Sequence, residues 1–182
     1  MCGVFEHYFT HLLDGYPSIV VVIVIGYVLI AIMYGIYKNW HHALMSFLVG
    51  YIVLVLYITV FSRPTNDHLR YSFLPFSTYY EIAKGDRFLL PQVVMNVVMF
   101  VPFGFILAAV CKSWDWKIIV IAGTAFSLLI ELLQLIILKG SSELDDVIHN
   151  ALGCLLGSGL YSASKIRYMF LGKITDSIKQ KI

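Results

Sequence analysis

The sequence predicts an all-α polytopic membrane protein of about five transmembrane helices in a compact bundle. Three observations predict it. Of 182 residues, 59% are hydrophobic and 13% charged, with a mean hydropathy of +0.82, whereas soluble domains carry about 25% charged residues. The apolar residues gather into runs that suit a spanning helix of roughly 20 residues. Those runs lack the alternation of a membrane barrel, and a backbone in lipid must satisfy its own hydrogen bonds, which leaves helices.

The expected spans run from about Ser18 to Tyr37, Ala43 to Phe61, Leu90 to Val110, Ile118 to Leu138, and Asp146 to Ala163. No Lys or Arg precedes the first run, which is long enough to span and so reads as a retained helix rather than a cleaved signal. Lys38-Asn39-Trp40-His41-His42 reads as a tight turn with both histidines in an interfacial loop. A long loop, about Ser62 to Leu89, separates the second and third spans, with Phe73, Pro75 and Phe76 dipping back onto the membrane as a lid. The chain thus divides into a tail (1–17), a bundle (18–163) and a basic tail (164–182). Ile174, Ile178 and Ile182 recur every four residues between lysines in that tail, suiting it to an inner-leaflet surface.

Orientation follows from the loop cations. Of thirteen Lys and Arg, eight (Lys38, Lys112, Lys117, Lys165, Arg167, Lys173, Lys179 and Lys181) fall on one side, and Arg63, Arg70, Lys84, Arg87 and Lys139 on the other. The bias puts the N-terminus outside and the C-terminus in the cytoplasm. The formal net charge of +2 is too small to suggest nucleic acid. Cys2, Cys111 and Cys154 are odd in number and widely spaced, neither a disulfide framework nor a metal motif.

Ionisable groups inside a span cost about 2.5–3.5 kcal/mol or more, so each needs a reason. Here they cluster. Asn96 lies in the third span, Glu131 and Gln134 in the fourth, Asp145, Asp146, His149 and Asn150 open the fifth, and Arg63 closes the second. At ~1.5 Å rise per residue, Asn96, Glu131 and Asn150 all fall ~6–10 Å inside the outer end of their helices. Glu131 with Gln134, Asp146 with Asn150, and Asp145 with His149 share helix faces. Gly153 and Gly157 form a small-xxx-small pair that lets a neighbour approach closely, and Pro102 is expected to bend the third span. His149 reads as an interfacial side chain near the outer surface.

Asn96, Phe100, Pro102 and Gly104, then Glu131 and Gln134, then Asp145, Asp146, Asn150, Gly153 and Gly157 follow an order that resembles the VanZ-like family of bacterial membrane proteins. Tyr57 to Arg63, and Phe73 to Phe76, are similar to that family's earlier segments, so the likeness covers roughly residues 50 to 160. The resemblance implies a bacterial cytoplasmic membrane protein in cell-envelope biology or glycopeptide (teicoplanin-type) resistance, and supplies no chemistry. The family usually has an Arg shortly before the Asp-Asp pair. Here Gly140-Ser141-Ser142-Glu143 fills that stretch, and Lys139 as a substitute lacks the bidentate fork.

Three readings stay open. In the first, Arg63, Asn96, Gln134 and Asn150 bind a lipid headgroup, a lipid-linked envelope precursor or a lipoglycopeptide tail. In the second, Glu131 with Asp145 and Asp146 acts as an acid/base catalyst on an envelope lipid; no cofactor is expected, a divalent cation held by these carboxylates being the lesser alternative. In the third, the polar groups only bond one another and fix helix register, at ~0.6 kcal/mol per bond.

Overall fold

The structure, a computed structural model, describes Tyr27, Ile30 and residues 39–179, with side chains as far as Ser164. The expected first span and the N-terminal tail lie outside the described residues, apart from helical Tyr27 and Ile30. Five α-helices follow: α1 (Trp40–Leu56), α2 (Ser77–Ala83), α3 (Leu89–Val110), α4 (Trp116–Ile136) and α5 (Leu144–Lys179). Two short strands, β1 (Tyr71–Ser72) and β2 (Ser142–Glu143), complete the elements.

Among the described residues three helical stretches are long and apolar enough to cross a membrane: Trp40–Phe61, Leu89–Val110 and Trp116–Ile136. The second of these extends ~33 Å at 1.5 Å per residue, against a hydrocarbon core of ~30 Å. α5 falls short of that standard, because Asp145, Asp146, His149 and Asn150 open it. It nevertheless packs along α3 and α4. The helix also runs through residue 164 without a break, joining the bundle to what the sequence divides off as a tail.

Local chemistry sets the ends. Asn39 caps α1 by accepting from the His41 N–H at 2.9 Å, so Trp40, His41 and His42 form its first turn rather than an interhelical loop. Asp115 caps α4 through the Ile118 N–H at 2.9 Å. α1 ends in a π-turn, Tyr57–Phe61, closed by Ser62 N–H to Tyr57 O at 2.9 Å. Such turns leave carbonyls free for other partners. Pro64, five residues beyond Thr59, has no N–H to offer its carbonyl.

α3 and α5 meet backbone to backbone. A Cβ on Gly153 would collide with the Val97 carbonyl oxygen, and one on Gly157 with that of Val101. Gly104 of α3 faces the Cys154 backbone in return. Below this seam Phe100, Phe103 and Phe126 pack with ring centroids 5.1–5.9 Å apart, beside buried Val55, Ile119 and Ile130.

The long loop is not a free lid. β1 pairs in parallel with β2, Tyr71 opposite Ser142 and Ser72 opposite Glu143. Thr65 bridges Lys139, Asn66 N–H donates to Leu138 O at 2.7 Å, and the Asn66 side chain reaches Gly140 O. Gly140 takes φ +73°, a left-handed turn that lets the 137–143 segment fold back under the loop.

Candidate functional site

The chain direction fixes two ends. α1 and α4 finish, and α3 and α5 begin, at the end covered by residues 62–88 and 137–143. There Glu131 lies five residues from the close of α4, Asn96 seven from the start of α3 and Asn150 six from the start of α5. These are depths of ~7–10 Å. Asn96, Glu131, Gln134, Asp145, Asp146 and Asn150 are all buried, and Arg63 is half-buried at the edge.

Within that shared depth their partners differ. Glu131 Oε2 accepts the Glu143 N–H at 2.8 Å, tying α4 to β2, and the Ser142 side chain also faces this carboxyl. Asp146 lies between Gln92 Nε2, 3.4 Å from each of its oxygens, and His149 Nδ1 at 4.0 Å. Asn96 and Arg63 also face it. Gln134 Nε2 donates to the freed Thr59 carbonyl at 2.8 Å. Asn150 Nδ2 donates to Ser127 Oγ at 2.8 Å, one turn of α4 below Glu131.

Asp145 faces another way. Its Oδ1 accepts from Phe76 N–H at 2.6 Å, and its Oδ2 from Thr78 N–H at 2.8 Å and Ser77 Oγ at 3.4 Å. It therefore docks the start of α2 and holds Phe76 at φ +65°, a conformation that side chains resist. Burial pushes the Asp145 carboxyl up, but the Thr78 and Phe76 N–H groups outweigh it and hold the carboxyl below its usual range. In β2, burial and the Asp146 charge push Glu143 up, with Arg63 opposing.

His149 corrects the sequence reading. It is not interfacial but 1% exposed, with Nε2 2.8 Å from the Tyr79 hydroxyl and Nδ1 directed at Asp146. Tyr79, Gln92, Ser127 and Glu143 are further members that the sequence reading missed. Helical spacing carried a signal for two of them: Gln92 is four residues before Asn96, and Ser127 four before Glu131. Tyr79 and Glu143 arrive through loop docking, which no periodicity encodes.

Lys139 donates to the Phe61 carbonyl at 2.9 Å and makes no ion pair with the carboxylates. Arg63 is instead the cation whose field reaches Asp146 and Glu143, without a contact within 4.0 Å among the described residues. Among the described residues four buried polar atoms have no hydrogen-bond partner by distance and angle: Asn96 Nδ2, Gln134 Oε1, His149 Nδ1 and Asn150 Oδ1. All four belong to this cluster. Among the described residues no group of three or more His, Cys, Asp or Glu is arranged to hold a metal ion.

The family model for VanZ/LLP1 matches residues 47–167. The chain belongs to the VanZ/LLP1 family. Neither the curated proteins nor the solved structures contain a match. The VanZ/LLP1 match begins within α1 and ends within α5, so it takes in the whole polar cluster and the loop above it.

Proposed function

We propose that this VanZ-type membrane protein binds a polar headgroup at the loop-covered end of the bundle, in the outer leaflet. The ligand is an envelope lipid, a lipid-linked wall precursor or a lipoglycopeptide such as teicoplanin. The observation that carries the reading is a set of buried polar atoms without a hydrogen-bond partner among the described residues, Gln134 Oε1 and Asn150 Oδ1 above all, since Asn96 and His149 Nδ1 face Asp146. A buried polar group without a partner costs about 1–3 kcal/mol. A network that served only to fix helix register would satisfy its own members. These atoms, and a cation at Arg63 with no ion pair within 4.0 Å among the described residues, suit a ligand that supplies both acceptors and donors. The bias of Lys and Arg in the loops supports an outward orientation for this end.

Two variants test the reading in cells exposed to teicoplanin and, as a comparison, vancomycin. Asn96→Leu removes a buried amide donor at similar volume, and Glu131→Gln removes the titratable acid. Normal protein levels with lost protection support binding. Unchanged protection in both sinks the proposal, and loss of protein returns the cluster to a structural role.

One observation favours catalysis as a second reading. Tyr79 OH bonds His149 Nε2 at 2.8 Å, and His149 Nδ1 faces Asp146 at 4.0 Å, a row that becomes a proton relay once the second gap closes to hydrogen-bond distance or takes a bridging water. In that reading Glu131 and Asp146 are the reacting carboxylates, while Asp145 is committed to α2. Turnover of a labelled envelope lipid by purified protein, abolished in His149→Gln, distinguishes it from binding.

A further inference from the structure

A second site lies at the opposite end of the bundle. A cavity of about 240 Å³ opens where α3 ends, α4 begins and α5 passes. Its floor is Ala108, Ile119 and Ser158, all buried. Its rim is Lys112, Trp114, Trp116, Tyr161 and Ser162.

The rim is rich in donors and has no carboxylate. It offers an ammonium, two indole N–H groups, a phenol and a serine hydroxyl. The Lys112 ammonium and the Tyr161 hydroxyl have no hydrogen-bond partner among the described residues. Ser162 spends its proton on Ser158 O at 3.0 Å. The nearest acid in sequence, Asp115, is turned to cap α4 at Ile118 N–H. Lys117 adds a second positive charge, 5.8 Å from the Trp116 ring centroid. The Tyr161 ring is fixed edge-on to Phe105, centroids 5.7 Å apart.

Depth matches this chemistry. Ser158 and Ser162 lie 14 and 18 residues into α5, or ~21–27 Å from its start, which is the far membrane boundary when the helix starts at the near one. Trp114 and Trp116 are partly exposed there, the usual position of interfacial indoles. A ligand here meets cations and donors at the rim and aliphatic carbon beneath.

We propose that this cavity holds the phosphodiester headgroup of an anionic phospholipid from the leaflet at the Lys112 end. The phosphate takes the Lys112 ammonium, the Tyr161 hydroxyl and an indole N–H, and the glycerol carbons enter toward Ala108 and Ile119. The site shares no residue with the Glu131 cluster and stands or falls separately.

The test uses the full-length protein in nanodiscs of phosphatidylcholine doped with phosphatidylglycerol, with retained lipid counted by native mass spectrometry. Wild type is expected to keep phosphatidylglycerol over phosphatidylcholine. Lys112→Gln is expected to lower that preference about fivefold, the effect of one surface cation on an anionic lipid. Lys112→Arg should restore it, and Lys84→Gln, at the other end, should not change it. An unchanged preference in Lys112→Gln overturns the proposal. Equal displacement by inorganic phosphate also overturns it, because the ligand is then a free anion rather than a lipid.

Discussion

The backbone N–H of Glu143 donates to Glu131 Oε2 at 2.8 Å. One carboxylate inside a spanning helix therefore anchors the strand that precedes α5, and through that strand the loop above. A glutamate that costs several kcal/mol to bury is here partly compensated by a backbone donor that would otherwise be unpaired.

Glu131→Gln keeps an acceptor for that N–H and is expected to lower thermal stability in detergent only slightly. Glu131→Leu removes the acceptor and leaves the donor unpaired, a loss of about 1–3 kcal/mol. Differential scanning fluorimetry of both variants checks this. Equal melting temperatures for Leu and Gln would show that the bond contributes nothing.

Asp145 accepts two backbone N–H groups from the α2 segment. Asp145→Ala should release that segment and speed chymotrypsin cleavage after Phe73 and Phe76 at neutral pH by one to two orders of magnitude, from about 1.5–3 kcal/mol per charged bond. Its carboxyl is held below the usual range, so its contribution is complete above the ordinary carboxylate value of about 4. It is lost as pH falls through the folded value. The raised Glu143 acts oppositely, contributing at acid pH and losing that contribution as pH rises. In a Glu143→Gln background, the share of loop protection that Asp145 supplies should therefore be lost as pH falls below the ordinary carboxylate range.

The glycines of α5 should divide sharply. A Cβ at Gly153 or Gly157 meets an α3 carbonyl, while one at Gly159 meets nothing within 4 Å. Gly153→Ala and Gly157→Ala are expected to reduce folded yield, because backbone must separate to admit the methyl. Gly159→Ala should be neutral or stabilising by up to about 1 kcal/mol. Size-exclusion profiles of the three variants test it; comparable losses at all three positions would contradict the seam.

Tyr79→Phe removes the hydroxyl that meets His149 Nε2. It leaves a buried imidazole nitrogen without a partner, and the expected loss is about 1–3 kcal/mol. Protease protection of α2 reports it, since Tyr79 lies on that helix.

Three of the five expected spans, the depth of the polar residues along their helices and the α3–α5 seam were legible in the sequence because lipid enforces such patterns. Apolar length sets α3 and α4, and the expense of a polar group in a span made Asn96, Glu131 and Asn150 stand out. Gly153 and Gly157 were readable for the same reason. What escaped was whatever the loop brings from far along the chain. Asp145 looked equivalent to Asp146, yet their carboxylates serve different partners because α2 docks on one of them. His149 looked interfacial because nothing local announces that Tyr79, 70 residues away, covers it.

The pairing of β1 with β2 has a consequence for biosynthesis. Tyr71 and Phe76 leave the ribosome long before Ser142 and Asp145, the residues that will hold them. At synthesis rates of about 5–20 residues per second, a 69-residue separation is a wait of roughly 4–14 seconds. Until α5 is made, Asn96 has no Asp146 to face and Ser127 no Asn150 to bond. A chain interrupted before Leu144 is therefore expected to leave these two polar side chains without the partners that the finished bundle supplies.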